Sequence, residues 1–143
     1  MATVSIENKV SVTLDSGTEY ALDAGTSVTN VGEVISREVL VPTSEVTLIS
    51  IGATVAAGTL TDIKFCVIKN LDDTNFIRVR LEDTGALTSD HKLAPGDFMT
   101  VFNTKLSVHA TGGAFSAFGD IDTISAQADT AACQVSFIVG EPC

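Results

Sequence analysis

The chain has 143 residues, 45% of them apolar and 18% charged, with eleven Gly, three Pro and no Trp. That length and apolar content belong to one folded domain with a core of its own and exclude a disordered tail. Eighteen acidic against eight basic side chains leave a net charge of −10, which argues against direct contact with nucleic acid or an anionic membrane surface, because phosphate neutralisation needs Lys and Arg.

Strand signals run from end to end, with Val, Ile and Thr abundant and apolar residues often alternating with polar ones. Lys9–Leu14 (KVSVTL) sets Val10, Val12 and Leu14 on one side and Ser11 and Thr13 on the other. Asp15–Gly17 reads as a turn, Tyr20–Asp23 as a short strand and Asp23–Gly25 as a second turn. Glu33–Val41 fits helix or strand by period, and Val34, Val39, Val41 and Pro42 favour strand. Glu45–Ile51 is partly apolar on both faces, as expected of a central strand, and Gly52–Gly58 reads as a loop. Asp62–Leu71 is the strongest core strand, with Ile63, Phe65, Val67 and Leu71 of one parity.

Asp72–Asn75 reads as a hairpin-type turn. Phe76–Leu81 then places Ile77, Val79 and Leu81 inward and Arg78 and Arg80 outward, a half-buried antiparallel strand. Asp83–Asp90 is polar and loop-like, and Pro95–Asp97 is a turn, because Pro fixes φ and Gly permits φ > 0. Phe98–Phe102 and Leu106–Ala110 are the next strands, Ala110–Asp122 a Gly-rich loop carrying Phe115 and Phe118. Thr123–Ala128 and Cys133–Val139 close the chain as a hairpin. Roughly eight to ten short strands at spacings of about 8–12 residues predict an all-β chain, an antiparallel β-sandwich with jelly-roll-like or immunoglobulin-like strand order. One domain over residues 1–143 is the simplest division, with 1–30 either core or an arm or edge hairpin.

Candidates for chemistry are few. The histidines are His91, in a polar segment beside Asp90, and His109, two residues from Ser107 on a strand. A histidine base needs a nucleophile and an orienting partner, and neither setting supplies both. Asp72/Asp73 and Asp120/Asp122 could face a cation, but calcium needs six to eight oxygens, and aspartates that cap their own turns account for both pairs. Gly112-Gly113 has no Lys partner to make a phosphate cradle. Cys66 and Cys133 lie in apolar runs and read as small buried hydrophobes, while Cys143 reads as a free thiol; no spacing among the three suggests zinc. The expectation is therefore no enzyme, no cofactor and no metal. No apolar run approaches the roughly 20 residues of a membrane span, and Met1–Val10 lacks a secretory pattern, so synthesis in a cytosol is expected. The candidate partner-binding residues are Val4 and Ile6 near the start, as edge-strand contacts, and Phe115 and Phe118, two rings among small residues that could enter a groove.

Three segments carry a family resemblance: Asn70–Asn75 (NLDDTN) before a strand, Leu93–Phe98 (LAPGDF) at a turn, and Ala126–Ala132 (AQADTAA) before a final strand ending in Glu141. In this order they resemble small virion proteins of tailed bacteriophages, over about half of the chain. The resemblance implies a capsid decoration (cement) protein on the exterior of the virion, made in the host cytoplasm. It would be a homo-oligomer, a trimer, bound to the major capsid protein or other virion proteins. The alternative is a tail, collar or fibre component that binds another virion protein or a host receptor. A sandwich hydrolase or carbohydrate-binding module is poorly served without Trp and an acid–base pair, and a cytosolic β-domain with no virion role is the remaining option.

Overall fold

The computed structural model describes residues 2–6, 9–13, 15–23, 26–50, 65–83, 85, 87–102, 107–109 and 118–142. Within these, the side chains of residues 2, 4, 6, 9, 10, 20, 22, 23, 26–30, 33, 102, 107–109, 118, 120, 141 and 142 lie outside the described set. Gly52–Gly58, Gly112-Gly113, Phe115 and Cys143 lie outside the described residues altogether. Every described element is a strand: β1 (Ala2–Ile6), β2 (Lys9–Thr13), β3 (Glu19–Asp23), β4 (Thr26–Val41), β5 (Val46–Ser50), β6 (Phe65–Asn70), β7 (Ile77–Asp83), β8 (Thr88–Leu93), β9 (Phe98–Phe102), β10 (Ser107–His109), β11 (Phe118–Ala128) and β12 (Cys133–Pro142).

One sheet has the order β1-β4-β12-β6-β9, and in the other β11 lies between β7 and β5, with β8 beyond β7 and β10 on the first residues of β11. All pairs are antiparallel, and in the body of the sandwich they are nested: β4 with β12, β5 with β11, β6 with β9, β7 with β8. Nested pairing split between two sheets is the jelly-roll order, which decides between the two strand orders the sequence left open.

That order follows from what the turns do. Pro42–Glu45, Leu71–Phe76, Ala94–Asp97 and Asp129–Ala132 each carry the chain from one sheet to the other, and all lie at the same end of the sandwich. Two expectations are corrected here. Asp72–Asn75 is a turn but not a hairpin, because β6 and β7 belong to different sheets. Similarly, β11 and β12 do not pair with each other; each is the central strand of its own sheet, flanked by β5 and β7 or by β4 and β6. A turn signal in a sequence marks reversal of the chain, and a sandwich can reverse it across the core as readily as within a sheet.

The core lies between the sheets. Val135, Phe137 and Val139 from β12 and Cys66 and Ile68 from β6 meet Ile77, Val79 and Leu81 from β7 and Ile124 and Ala126 from β11. The outward placement of Arg78 and Arg80 is as expected from alternation. In β6 the interior takes the parity of Cys66, Ile68 and Asn70, so Val67 and Leu71 face away from the core. Phe65 shares their parity yet is buried, its ring lying against Gly140 on the outer side of the sheet. β5 is an edge strand paired only with β11 among the described residues, rather than a central one. The polar segment Asp83–Asp90 holds the first half of β8, an exposed edge strand whose alternation is too polar to read as one. Phe118–Asp122 is strand rather than loop, with β11 starting at Phe118.

The N-terminal stretch stands apart. β2 and β3 pair only with each other among the described residues. β4 has sixteen residues, roughly 53 Å at about 3.3 Å per residue. Among the described residues its first part, Thr26–Asn30, pairs with β1 alone, and the part beyond Val31 pairs with β12 alone.

Candidate functional site

At the turn end, a buried amide joins two of the four crossings. Asn70 ends β6, and its Nδ2 donates to the carbonyls of Asn75 (2.9 Å), Leu93 (3.3 Å) and Ala94 (3.2 Å). Its Oδ1 accepts from the Asp72 amide at 3.1 Å, and its own amide donates to the Asp97 carbonyl at 2.9 Å. Asp72 Oδ1 in turn accepts the amides of Thr74 (2.9 Å) and Asn75 (2.6 Å). These backbone donors, Asn75 first, hold the Asp72 carboxyl below the usual carboxylate range. The pair Asp72/Asp73 is thus occupied in turn formation, since Asp73 accepts from Thr74 Oγ1 at 2.8 Å. Thr130 Oγ1 reaches Asn75 Oδ1 at 2.6 Å and brings a third crossing into contact. In the turn before β9, the amide of Asp97 donates to the Ala94 carbonyl at 3.0 Å, and Gly96 takes φ +77°, the value a type II turn requires of its third residue.

The two outer faces differ in chemistry. On the β7 side, Arg80 Nε donates to Asp90 Oδ1 at 2.7 Å and Nη2 to Oδ2 at 2.9 Å, a two-point contact. Arg78 pairs with Glu45, and Arg80 Nη1 lies 3.2 Å from the same carboxylate. The charges of this face therefore neutralise one another in place, and Arg80 holds the Asp90 carboxyl below its ordinary value. On the β12 side the exposed positions are Leu40 (65%), Phe98 (61%), Val34 (45%) and Ile138 (40%), with Glu38 and Lys69 between them.

A recess of about 260 Å³ opens at the turn end, lined by Phe76, Arg78, Gln127, Ala128 and Asp129. Lys92 Nζ sits 3.9 Å from the centroid of the Phe76 ring, and Gln127 Nε2 donates to the Thr43 carbonyl at 2.6 Å. The recess is below the range of small-molecule pockets, roughly 300–1,000 Å³, and of a size to take one side chain.

Of the residues singled out from sequence, Val4 pairs with Val28 and Ile6 with Thr26 along β1 and β4, while Phe118 opens β11 opposite His109. The structure places these backbones only; the side chains of Val4, Ile6, Phe118, His109 and Asp120 lie outside the described set, as does Phe115 entirely. His91 is an exposed residue of β8 whose Nε2 meets Ser89 Oγ at 3.0 Å on the same strand. Asp90 faces the opposite way, towards Arg80. Among the described residues no group of three or more His, Cys, Asp or Glu side chains is placed to hold a metal ion, and no helix is long and apolar enough to cross a membrane. Cys66 and Cys133 are buried free thiols. Burial pushes the Cys66 thiol up to about 12, far from the nucleophilic range.

Sequence reasoning missed the apolar positions Leu40, Phe98 and Ile138. The available signal was Phe137-Ile138-Val139, three consecutive apolar residues in a strand, which must turn at least one outward. No family model matches the chain, and neither the curated proteins nor the solved structures searched include one that matches it.

Proposed function

We propose that this chain is a structural protein of a bacteriophage virion, a capsid decoration protein that binds the outside of the shell and stabilises contacts between major capsid subunits. Double-sheet jelly rolls serve in viral capsids, in lectins and in cupins, so the fold supports a capsid role without selecting it. The observation that carries the reading is the long strand β4, each half of which has a partner on one edge only among the described residues. Thr26–Asn30 is bonded on one side by β1, and Gly32–Val41 on the other side by β12. Each half thus leaves a row of backbone donors and acceptors that a neighbouring chain could extend as a further strand. Adhesion of that kind needs no catalytic group. It draws on backbone bonds, apolar contact and the charge complementarity that a chain of −10 offers a basic surface.

Capsids assembled without this chain, mixed with the purified protein, provide the test. Co-sedimentation that saturates at a fixed ratio to the major capsid protein is expected, and a Pro replacing Glu38 or Ser36 on the open β4 edge should weaken it. Failure to co-sediment at any ratio would count against the decoration role. A second reading, a tail, collar or fibre component, is favoured by the recess at the turn end, where half-buried Phe76 stands beside Arg78 and Asp129. Binding to isolated tails but not to shells would select it.

A further inference from the structure

We infer that the outer face of the β4–β12–β6–β9 sheet is the docking surface for a second copy of this chain, about a twofold axis that runs along β12. One row of the sheet carries matched charges. Glu38 pairs with Ser136, Ser136 with Lys69, and Lys69 with Phe98. Glu38 and Lys69 therefore flank β12 at about 10 Å from each other, two strand spacings of roughly 4.8 Å. Both are exposed, and no ion pair joins either to another described residue.

A dyad along β12, parallel to the sheet, exchanges its two flanks. It sets Lys69 of one copy opposite Glu38 of the other, and Glu38 opposite Lys69, forming two ion pairs from one self-complementary surface. The apolar residues obey the same symmetry. Ile138 lies on the axis and meets its own copy. Leu40 pairs with Gln134 from one side, while Leu71 donates its amide to the Gln134 carbonyl from the other. The dyad therefore brings exposed Leu40 against exposed Leu71.

The opposite face of the sandwich differs, because Glu45, Arg78, Arg80 and Asp90 form ion pairs with one another there. A chain carrying −10 resists its own copy, and self-association is least opposed where the two surfaces are locally neutral and matched in sign. Four strands over the span Ser36–Leu40 present roughly 320 Å² of sheet, about two-fifths of the ~800 Å² per partner of a stable complex. The contact is accordingly weak, a dimer that forms at high local concentration such as an assembly supplies. It is a separate contact from the threefold association that the resemblance implies, and it stands or falls independently of the virion reading.

Sedimentation velocity on the full chain, from about 1 μM to about 1 mM, tests it. The wild type is expected to shift from monomer to dimer across that range. Glu38→Lys and Lys69→Glu should each weaken the association at least tenfold while melting like the wild type, both positions being exposed. An equimolar mixture of the two variants should recover it as a mixed dimer, because each then presents the charges the other lacks. A wild type that stays monomeric at about 1 mM, single reversals without effect, or a mixture that fails to associate would each overturn the inference.

Discussion

The ring of Phe65, on β6, packs on the backbone of Gly140, its pairing partner on β12. A Cβ added at position 140 would overlap Cε1, Cζ and Cδ1 of that ring. Elsewhere on β12 the outward positions carry Gln134, Ser136 and Ile138, so the absence of a side chain at 140 is what lets the Phe65 ring lie down on the sheet.

Gly140→Ala should therefore displace an aromatic side chain rather than merely stiffen a strand. The expected loss is about 2 kcal/mol, in the range of overpacking a filled site, or roughly 6–8 °C in Tm for a domain of this size. Thermal unfolding followed by circular dichroism measures it. A Gly140→Ala protein as stable as the wild type would show that the ring moves away without cost.

Asn70→Ala removes the donor that serves three backbone carbonyls at the turn end. An acceptor left without a partner costs about 1–3 kcal/mol before relaxation, and the Ala94 carbonyl keeps the Asp97 amide, so a net loss of about 3 kcal/mol is expected in denaturant unfolding. Asn70→Asp should be worse at neutral pH, since it sets a carboxylate against those same carbonyls. It should recover part of its stability in acid, where the protonated form donates again. Equal stability of the two variants at neutral pH would contradict this account of the crossings.

Asp72 and Asp90 govern the acid limb of stability. Both carboxyls are held below their ordinary value when folded, Asp72 by the amides of Asn75 and Thr74 and Asp90 by Arg80. The unfolded chain therefore binds protons more readily. The stabilisation is present above the unfolded value, about pH 4, and is lost as pH falls through the lower folded one. Calorimetry between about pH 2 and pH 6 should show Tm falling in the acid range, with a shallower fall in an Asp72→Asn, Asp90→Asn double variant. An unchanged slope would assign the acid limb to other groups.

Cys66 and Cys133 should be silent in the native state. Burial raises both thiols, Cys66 to about 12, and the Asp72 and Asp129 charges add to the shift at Cys133. In a Cys143→Ser variant at about pH 8, where an ordinary thiol is partly ionised, a colorimetric disulfide reagent should find no thiol until denaturant is added, and then two. Native reaction at the rate of a free thiol would show that the turn end beside Cys133 opens.

Much of the strand content was legible because alternation writes burial directly into sequence. Ile77, Val79 and Leu81 against Arg78 and Arg80 is the clearest instance. β8 was not legible, because an exposed edge strand with only Leu93 fully buried has little alternation to show. The sheet partners were hidden for a different reason. Asp72–Asn75 and Asp129–Ala132 carry the residues of any tight turn, and whether the chain reverses within a sheet or across the core depends on the register of distant strands. In β6, Phe65 and Val67 looked as apolar as Cys66 and Ile68, and the interior is set by register, Cys66 pairing with Val139 and Ile68 with Phe137 of the core. The exposed row of Leu40, Ile138 and Phe98 is scattered over three strands, so it becomes a surface only when β4, β12 and β9 lie in one sheet.

The proposal that this chain clads a phage shell is tested most directly by cryo-electron microscopy of particles purified from the phage that encodes it. The account expects density for a jelly roll of nested β4–β12, β5–β11, β6–β9 and β7–β8 pairs repeated over the outer surface of the capsid, with β4 and the N-terminal strands against neighbouring capsid subunits. Density confined to the tail or to one vertex, or particles without this chain, would contradict it.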